Sequence, residues 1–328
     1  MAEAIVALEA VQYGTESTPG TIVAADTVIE LEGGGGSYAP NIERVPVEDR
    51  HGVLAITRDL VIVRGSALSY THMLDYQQLG IALNCGLDAD GPGSGPPYDR
   101  VWTPSLTVPH AIDTASFEVS FTDGSTRHLE AEMGYAVCTG FAVEGGDSEA
   151  AKFTAEWMAR AEQASTYTAS QTPIAREEIA GGSFGLFVDS SWANLGNTQK
   201  TGLIKKFKYS VQTGVRPRMA MDARTNLDYG GILRSAPGVQ LEIEYWFNGD
   251  AATEYAAWKA GTLRFMSLEA AGAGTSTLAL QGAFRYTSQP SFSEDDGIRT
   301  ITATLEGRHD ATSAKMLSVA LTNGVATY

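Results

Sequence analysis

The chain has 328 residues, 43% hydrophobic and 19% charged, the balance of a folded soluble protein, which excludes wholesale disorder. Its net charge of −16 lies in the first half: residues 1–164 hold 8 Lys and Arg against 24 Asp and Glu, and residues 165–328 hold 15 of each. Such a balance disfavours nucleic-acid binding by counterion release, and no apolar run approaches the roughly 20 residues of a membrane-spanning helix, so no membrane partner is expected.

In chain order, residues 1–9 carry acids where a secretory signal carries Lys or Arg, which predicts folding in the cytoplasm. The segment through Gly20, the glycine run at 32–37, the Gly/Pro-rich insertion near 88–98 and the stretch 161–173 read as arms or loops, the last as a link between two units. Strands are expected at 27–32, 59–63, 115–121, 129–135, 205–211, 239–247 and 298–305, where residues alternate or run β-branched between turn formers. Alternation gives one buried and one polar face, hence largely antiparallel sheets. Helical spacing of apolar residues predicts short helices at 69–79 and 250–260, each just after a strand, the second capped by Asp250. The fold class is therefore mainly β: two tandem β-sandwich or partial-barrel units, 1–164 and 165–328, each with one packed α-helix.

The chain contains the same pattern twice. Residues 134–160 align without a gap over 282–308, matching Gly134 with Gly282, Thr139 with Thr287, Asp147 with Asp295 and Arg160 with Arg308. At another offset, Gly52 falls on Gly231, and Asp75 and Tyr76 fall on Glu254 and Tyr255. Two large copies point to assembly by symmetry, since repeated units bury one another's surfaces.

No catalytic, cofactor-binding or metal site is expected. Residues 181–185 match G-x-S-x-G, but strand sequence follows Ser183 where a nucleophile elbow needs a helix, so Ser183, with distant His309 and Asp310, makes no hydrolase. Asp88, Asp90, Gly93 and Asp99 resemble a calcium loop with Pro92 at a ligand position. The glycines 33–36 lack the Lys of a phosphate loop, and His51, His72, His110, His128 and His309 have no ligand spacing. Cys85 and Cys138 read as small buried residues, and Trp157, Trp246, Trp258 and Tyr245 as core residues before ligand-binding ones. Glu30 and Glu32 lie in a place loosely equivalent to Lys206 and Lys208 in the other half. They are the candidate inter-copy interface, set against two unrelated solvated strand faces.

A duplicated β-rich unit with one helix, long arms, an acidic balance and no catalytic constellation resembles the major tail tube protein of siphovirus-type bacteriophages. The stretch 10–21 is similar to the Gly- and Thr-rich opening of such proteins. The resemblance implies a structural virion protein, not an enzyme, working without cofactors. Six β-sandwich units close a ring whose inner sheets surround a DNA channel, and two-unit members form homotrimeric, pseudo-hexameric rings. The implied partners are further copies in rings and tubes, the tape measure protein, tail terminator and baseplate proteins, and double-stranded DNA passing through the lumen without specific binding. The implied location is the virion tail, after assembly in the host bacterial cytoplasm. The alternatives are a tail terminator or baseplate adaptor ring, and a β-sandwich ligand-binding module.

Overall fold

β-branched and aromatic residues at every second position build a mainly β molecule, 54% strand and 8% helix, with a large antiparallel sheet. The computed structural model describes residues 9–32, 36–47, 58–88, 95–108, 111–221 and 227–328. The first half contributes β1 (Ala10–Thr15), β2 (Thr27–Ile29), β3 (Gly36–Val47), β4 (Arg58–Met73), α1 (Gly80–Asn84), β5 (Tyr98–Trp102), β6 (Ala115–Thr122), β7 (Arg127–Gly146), β8 (Lys152–Ala159) and β9 (Gln163–Ala164). The second contributes β10 (Gly185–Asp189), β11 (Gln199–Lys200), β12 (Ile204–Gln212), β13 (Val215–Arg218), β14 (Gly231–Arg234), β15 (Gly238–Trp246), α2 (Gly249–Ala260), β16 (Arg264–Ala271), β17 (Thr277–Tyr286), β18 (Ser291–Asp295), β19 (Ile298–Gly307) and β20 (Leu317–Asn323).

One pairing scheme occurs in both halves. β1 lies between β2 and β6, and β6 pairs with β7, which also takes β9. Likewise β10 lies between β11 and β16, and β16 pairs with β17, which also takes β20. β3, β4, β8 and β7 pair in that order, as do β12, β15, β19 and β17. The registers agree with the gap-free alignment as far as β17, where Cys138 faces Trp157 and Tyr286 faces Leu305; beyond it the second half carries one more residue, since Val143 faces Phe153 but Phe292, not Ser291, faces Ile301, which takes Asp295 off Asp147. The Thr139 hydroxyl donates to the Glu156 carbonyl at 3.2 Å, and that of Thr287 to the Thr304 carbonyl at 3.3 Å.

The second alignment needs correction. Leu68 faces Trp157 in β8, and Leu241 faces Leu305 in β19, so Leu68 corresponds to Leu241 and, counting on, Asp75 to Asn248 instead of Glu254. Both accept from the N–H three residues on through the same side-chain oxygen: Asp75 Oδ1 from Gln78 at 2.6 Å, in the turn before α1, and Asn248 Oδ1 from Ala251 at 3.0 Å, at the start of α2. Asn248, not Asp250, is thus the cap of α2; Asp250 sits in its first turn and pairs with Lys200. Gly52 lies outside the described residues.

Other expectations change as well. Residues 69–73 end strand β4, and the helix starts only at Gly80. Tyr70 and His72 are buried there while Ser69 and Thr71 alternate with them, and β3 and β8 pair with β4 on both sides, which overrides the helical spacing. The opening segment is no arm from Ala10 onward, because Val11 and Tyr13 enter the core and β1 is paired on both edges. The stretch 161–173 is pinned to the fold: Gln163 and Ala164 pair with β7, and Thr168 donates to Glu118. The end of the 88–98 insertion enters β5, which pairs with β20. The strand expected at 27–32 ends at Ile29.

Candidate functional site

The two halves meet edge to edge. The C-terminal part of β7 pairs with β8 on one side and with β12 on the other, from Gly140 against Gln212 to Gly146 against Lys206. Eight strands thereby run in one order, β3, β4, β8, β7, β12, β15, β19 and β18. One face of this row is core, with Val143, Phe207, Tyr209 and Val211 buried at the junction, and the Tyr209 hydroxyl donates to the Gln281 carbonyl at 3.0 Å.

The opposite face is more polar: at the junction the intervening residues are Glu144, Lys206, Lys208, Ser210 and Gln212 with Gly140, Ala142 and Gly146 between them. At the junction it dips into an open depression of about 390 Å³ lined by Glu144, Glu149, Lys152, Lys206, Lys208 and Glu242 among others. Each lysine there meets a carboxylate: Lys206 with Glu149 at 3.0 Å, Lys208 with Glu144 at 3.6 Å and Lys152 with Glu32 at 2.9 Å. The hydrogen bond and charge of Glu32 hold the Lys152 pKa above its ordinary value. Nearby, Lys205 bridges Asp295 at 2.7 Å and Glu244 at 3.2 Å, and these carboxylates raise its pKa too. Water screens exposed pairs of this kind, so the face is neutralised locally more than it is stabilised.

Within the chain, Lys206 and Lys208 therefore meet acids of the first half, Glu149 and Glu144, while Glu30 pairs with Arg176 and Glu32 with Lys152. Glu30 and Glu32 are not brought to Lys206 and Lys208. Sequence reasoning missed the two ends of the strand row. β3 has a partner only in β4, and β18 only in β19, among the described residues. β18 is five exposed residues long, too short and too polar for a periodicity signal. The β3–β4 pair carries exposed Ile42, Val45, Leu60 and Ile62.

Residues 181–183 form a 3-10 turn leading into β10, and Asp310 accepts from the Ser313 N–H at 2.9 Å, away from Ser183 in the chain. No group of three metal-binding side chains exists among the described residues. Asp90, Gly93, Gly33, His51 and His110 lie outside them. Cys85 and Cys138 are free and buried, and burial pushes both thiols up. His72 is buried against Tyr70 and Phe153, where burial lowers its pKa against the pull of Asp75. No described helix is long and apolar enough to cross a membrane. Trp157 and Tyr245 are core residues, whereas Trp246 and Trp258 are partly exposed.

Comparison with known proteins adds no family: no protein-family model matches the chain, and no curated protein matches it.

Proposed function

We propose that this chain is a structural subunit that polymerises: two tandem β-sandwich units, about 1–164 and 165–328, acting as the major tail tube subunit of a long-tailed bacteriophage. The observation that carries this reading is the β7–β12 junction, where the two halves join edge to edge in one sheet that ends on each side in a strand paired along one edge only among the described residues. A row with two open edges is stable in water when it closes on further copies, because ring closure removes the edges. Three chains would then form a pseudo-hexameric ring with the polar face toward the lumen.

That face suits a channel for DNA. Its lysines are held by carboxylates, and Glu156 and Glu242 add further negative charge. Phosphates would slide past such a lining instead of being bound. The apolar residues exposed on the β3–β4 pair would be covered by the next ring of a stack. Tape measure, tail terminator and baseplate proteins are the partners of this role, and the virion tail is its location.

Electron microscopy of the concentrated protein, with light scattering on the same sample, tests the reading. Rings or hollow tubes with three chains per layer are expected. A uniform monomer overturns the proposal, and closed rings that never stack, even with tail partners, replace it with a terminator or adaptor role.

A further inference from the structure

The internal junction supplies a template for the contact between neighbouring chains. On the first half's side, Val143 of β7 faces Phe153 in β8; in the second half, Phe292 of β18 faces Ile301 in β19. With Phe153 corresponding to Ile301, strand pairing puts Phe292 in the place of Val143, one residue past Ser291, on which Val143 falls in the gap-free alignment, because the second half carries one more residue between β17 and β18. On the other side, Tyr209 of β12 faces Leu241 in β15, and Tyr38 of β3 faces Leu68 in β4. Since Leu68 corresponds to Leu241, Tyr38 occupies the place of Tyr209. Val143 and Tyr209 face each other across the internal junction. Their counterparts are at the two open edges.

Backbone directions agree with this correspondence. The Thr71 carbonyl of β4 accepts from the Glu32 N–H at 3.0 Å, on the side of β3. Polar groups alternate sides along a strand, so Ser69 and Ala67 bond their partners Ser37 and Ala39. Gly36 and Tyr38 then turn their backbone groups to the open edge. On β19 the Arg299 carbonyl accepts from the Phe247 N–H at 2.8 Å, on the side of β15. Thr300 and Thr302 therefore bond Ser293 and Ser291, and the backbone groups of Phe292 and Glu294 turn outward.

We infer that β18 of one chain pairs antiparallel with β3 of a second copy, with Phe292 opposite Tyr38, Ser293 opposite Ser37 and Ser291 opposite Ala39. The contact repeats the β7–β12 junction between molecules. This inference rests on the polymerising role proposed above. Phe292 is 49% exposed in the single chain, where it already meets Phe247 and Tyr255 edge-on; the contact would cover it with Tyr38. Gly36 falls opposite Glu294, as Phe207 falls opposite Gly145 inside the chain, so a small residue again meets a large one. One pair further, Pro40 meets Pro290, neither of which has an N–H to donate. A two-residue slip would put a proline against Tyr38 or Phe292 and lose a bond, which makes this register the one with the longest ladder.

Disulfide trapping tests it. Ser37 and Ser293 would form a non-hydrogen-bonded antiparallel pair with Cα atoms about 4.5 Å apart, within disulfide range. The double variant Ser37→Cys/Ser293→Cys, mildly oxidised, is expected to give covalent multimers on non-reducing gels. So is Ala39→Cys/Ser291→Cys, while the slipped pair Ser37→Cys/Ser291→Cys should lag at least tenfold. Cys85 and Cys138 are buried and provide the background measured in the unmodified protein. Assembly by electron microscopy with equal or better trapping of the slipped pair, or with no trapping at all, overturns this register and leaves the polymerising role standing. A disulfide formed within one chain overturns the register as well. Neither assembly nor trapping overturns both.

Discussion

Glu118 shows how single residues turn a polar opening sequence into structure. It is 3% exposed, and its carboxylate accepts from Gln12 Nε2 at 2.6 Å, the Thr168 N–H at 2.6 Å, the Thr168 hydroxyl at 2.8 Å and the Ala25 N–H at 3.2 Å. One side chain thus ties β1, the segment before β2 and the 161–173 stretch to β6. Glu16 plays a similar part, accepting from the Thr114 hydroxyl at 2.6 Å, the Tyr135 N–H at 2.7 Å and the Ser116 hydroxyl at 2.9 Å. Burial by itself would raise the Glu118 pKa, but the donors outweigh it and hold the carboxyl below its ordinary value. A depressed folded pKa means stability that is fully present above the unfolded value of about 4.3 and is lost as pH falls through the folded value. Glu118→Gln is expected to cost about 2 kcal/mol at neutral pH, the scale of hydrogen bonds to a charged group. Urea unfolding of both proteins should show that gap holding above the ordinary glutamate value and closing below it. A gap unchanged in strong acid would mean that the charge of Glu118 is not what the donors hold.

Among the elements, α2 is the one whose ends can be read as chemistry. Asn248 caps its N-terminus, and Gly261 closes it at φ 61°, a left-handed conformation that glycine adopts without strain. Nothing lies within 4 Å of a Cβ built on Gly261, so Gly261→Ala probes backbone strain alone. Each of Asn248→Ala and Gly261→Ala is expected to cost about 1 kcal/mol, read as a fall in Tm. The helix is moored by Glu254, 2% exposed, whose carboxylate pairs with Arg264 and accepts from the Tyr286 hydroxyl at 3.0 Å. This helix was legible in the sequence because Ala, Glu, Tyr, Trp and Lys run for three turns at helical spacing, although the cap expected at Asp250 lies two residues earlier, at Asn248. The strands at 205–211, 239–247 and 298–305 were legible because each buries mainly one face, and 115–121 because polar and apolar residues alternate in it, although Ser116, Glu118 and Ser120 are buried as well. Residues 69–73 were not, because a strand end paired with β8 and running straight into turns at 76–79 imitates helical spacing. The β7–β8 repeat was visible in a gap-free alignment, whereas the equivalence of Asp75 and Asn248 depends on sheet partners that two matched residues could not reveal. The polar junction was half legible: Lys206 and Lys208 stood out, but their carboxylate partners Glu144 and Glu149 come from the other half of the chain.

At the scale of the molecule, the uneven charge bears on how chains would meet. Joining β18 to β3 sets the neutral half of one chain beside the acidic half of the next, while joining β3 to β3 would bring two halves of net charge −16 together. The head-to-tail arrangement is the one electrostatics favours, and it is also the one that can close a ring. The residues placed opposite each other across this contact, Tyr38 with Phe292, Ser37 with Ser293 and Ala39 with Ser291, contain no ion pair, in contrast to the internal junction with Lys206–Glu149 and Lys208–Glu144. What remains ionic between molecules is the repulsion of two chains that each carry −16. That repulsion acts over the Debye length, which contracts from about 30 Å at 0.01 M salt to about 3 Å at 1 M. Raising the salt across this range is therefore expected to strengthen self-association, seen as larger species in sedimentation velocity at fixed protein concentration. An interface held by ion pairs would respond in the opposite direction, because the salt would screen the attraction. Dissociation at high salt would thus move the contact away from the β3 and β18 edges and toward the charged face of the sheet.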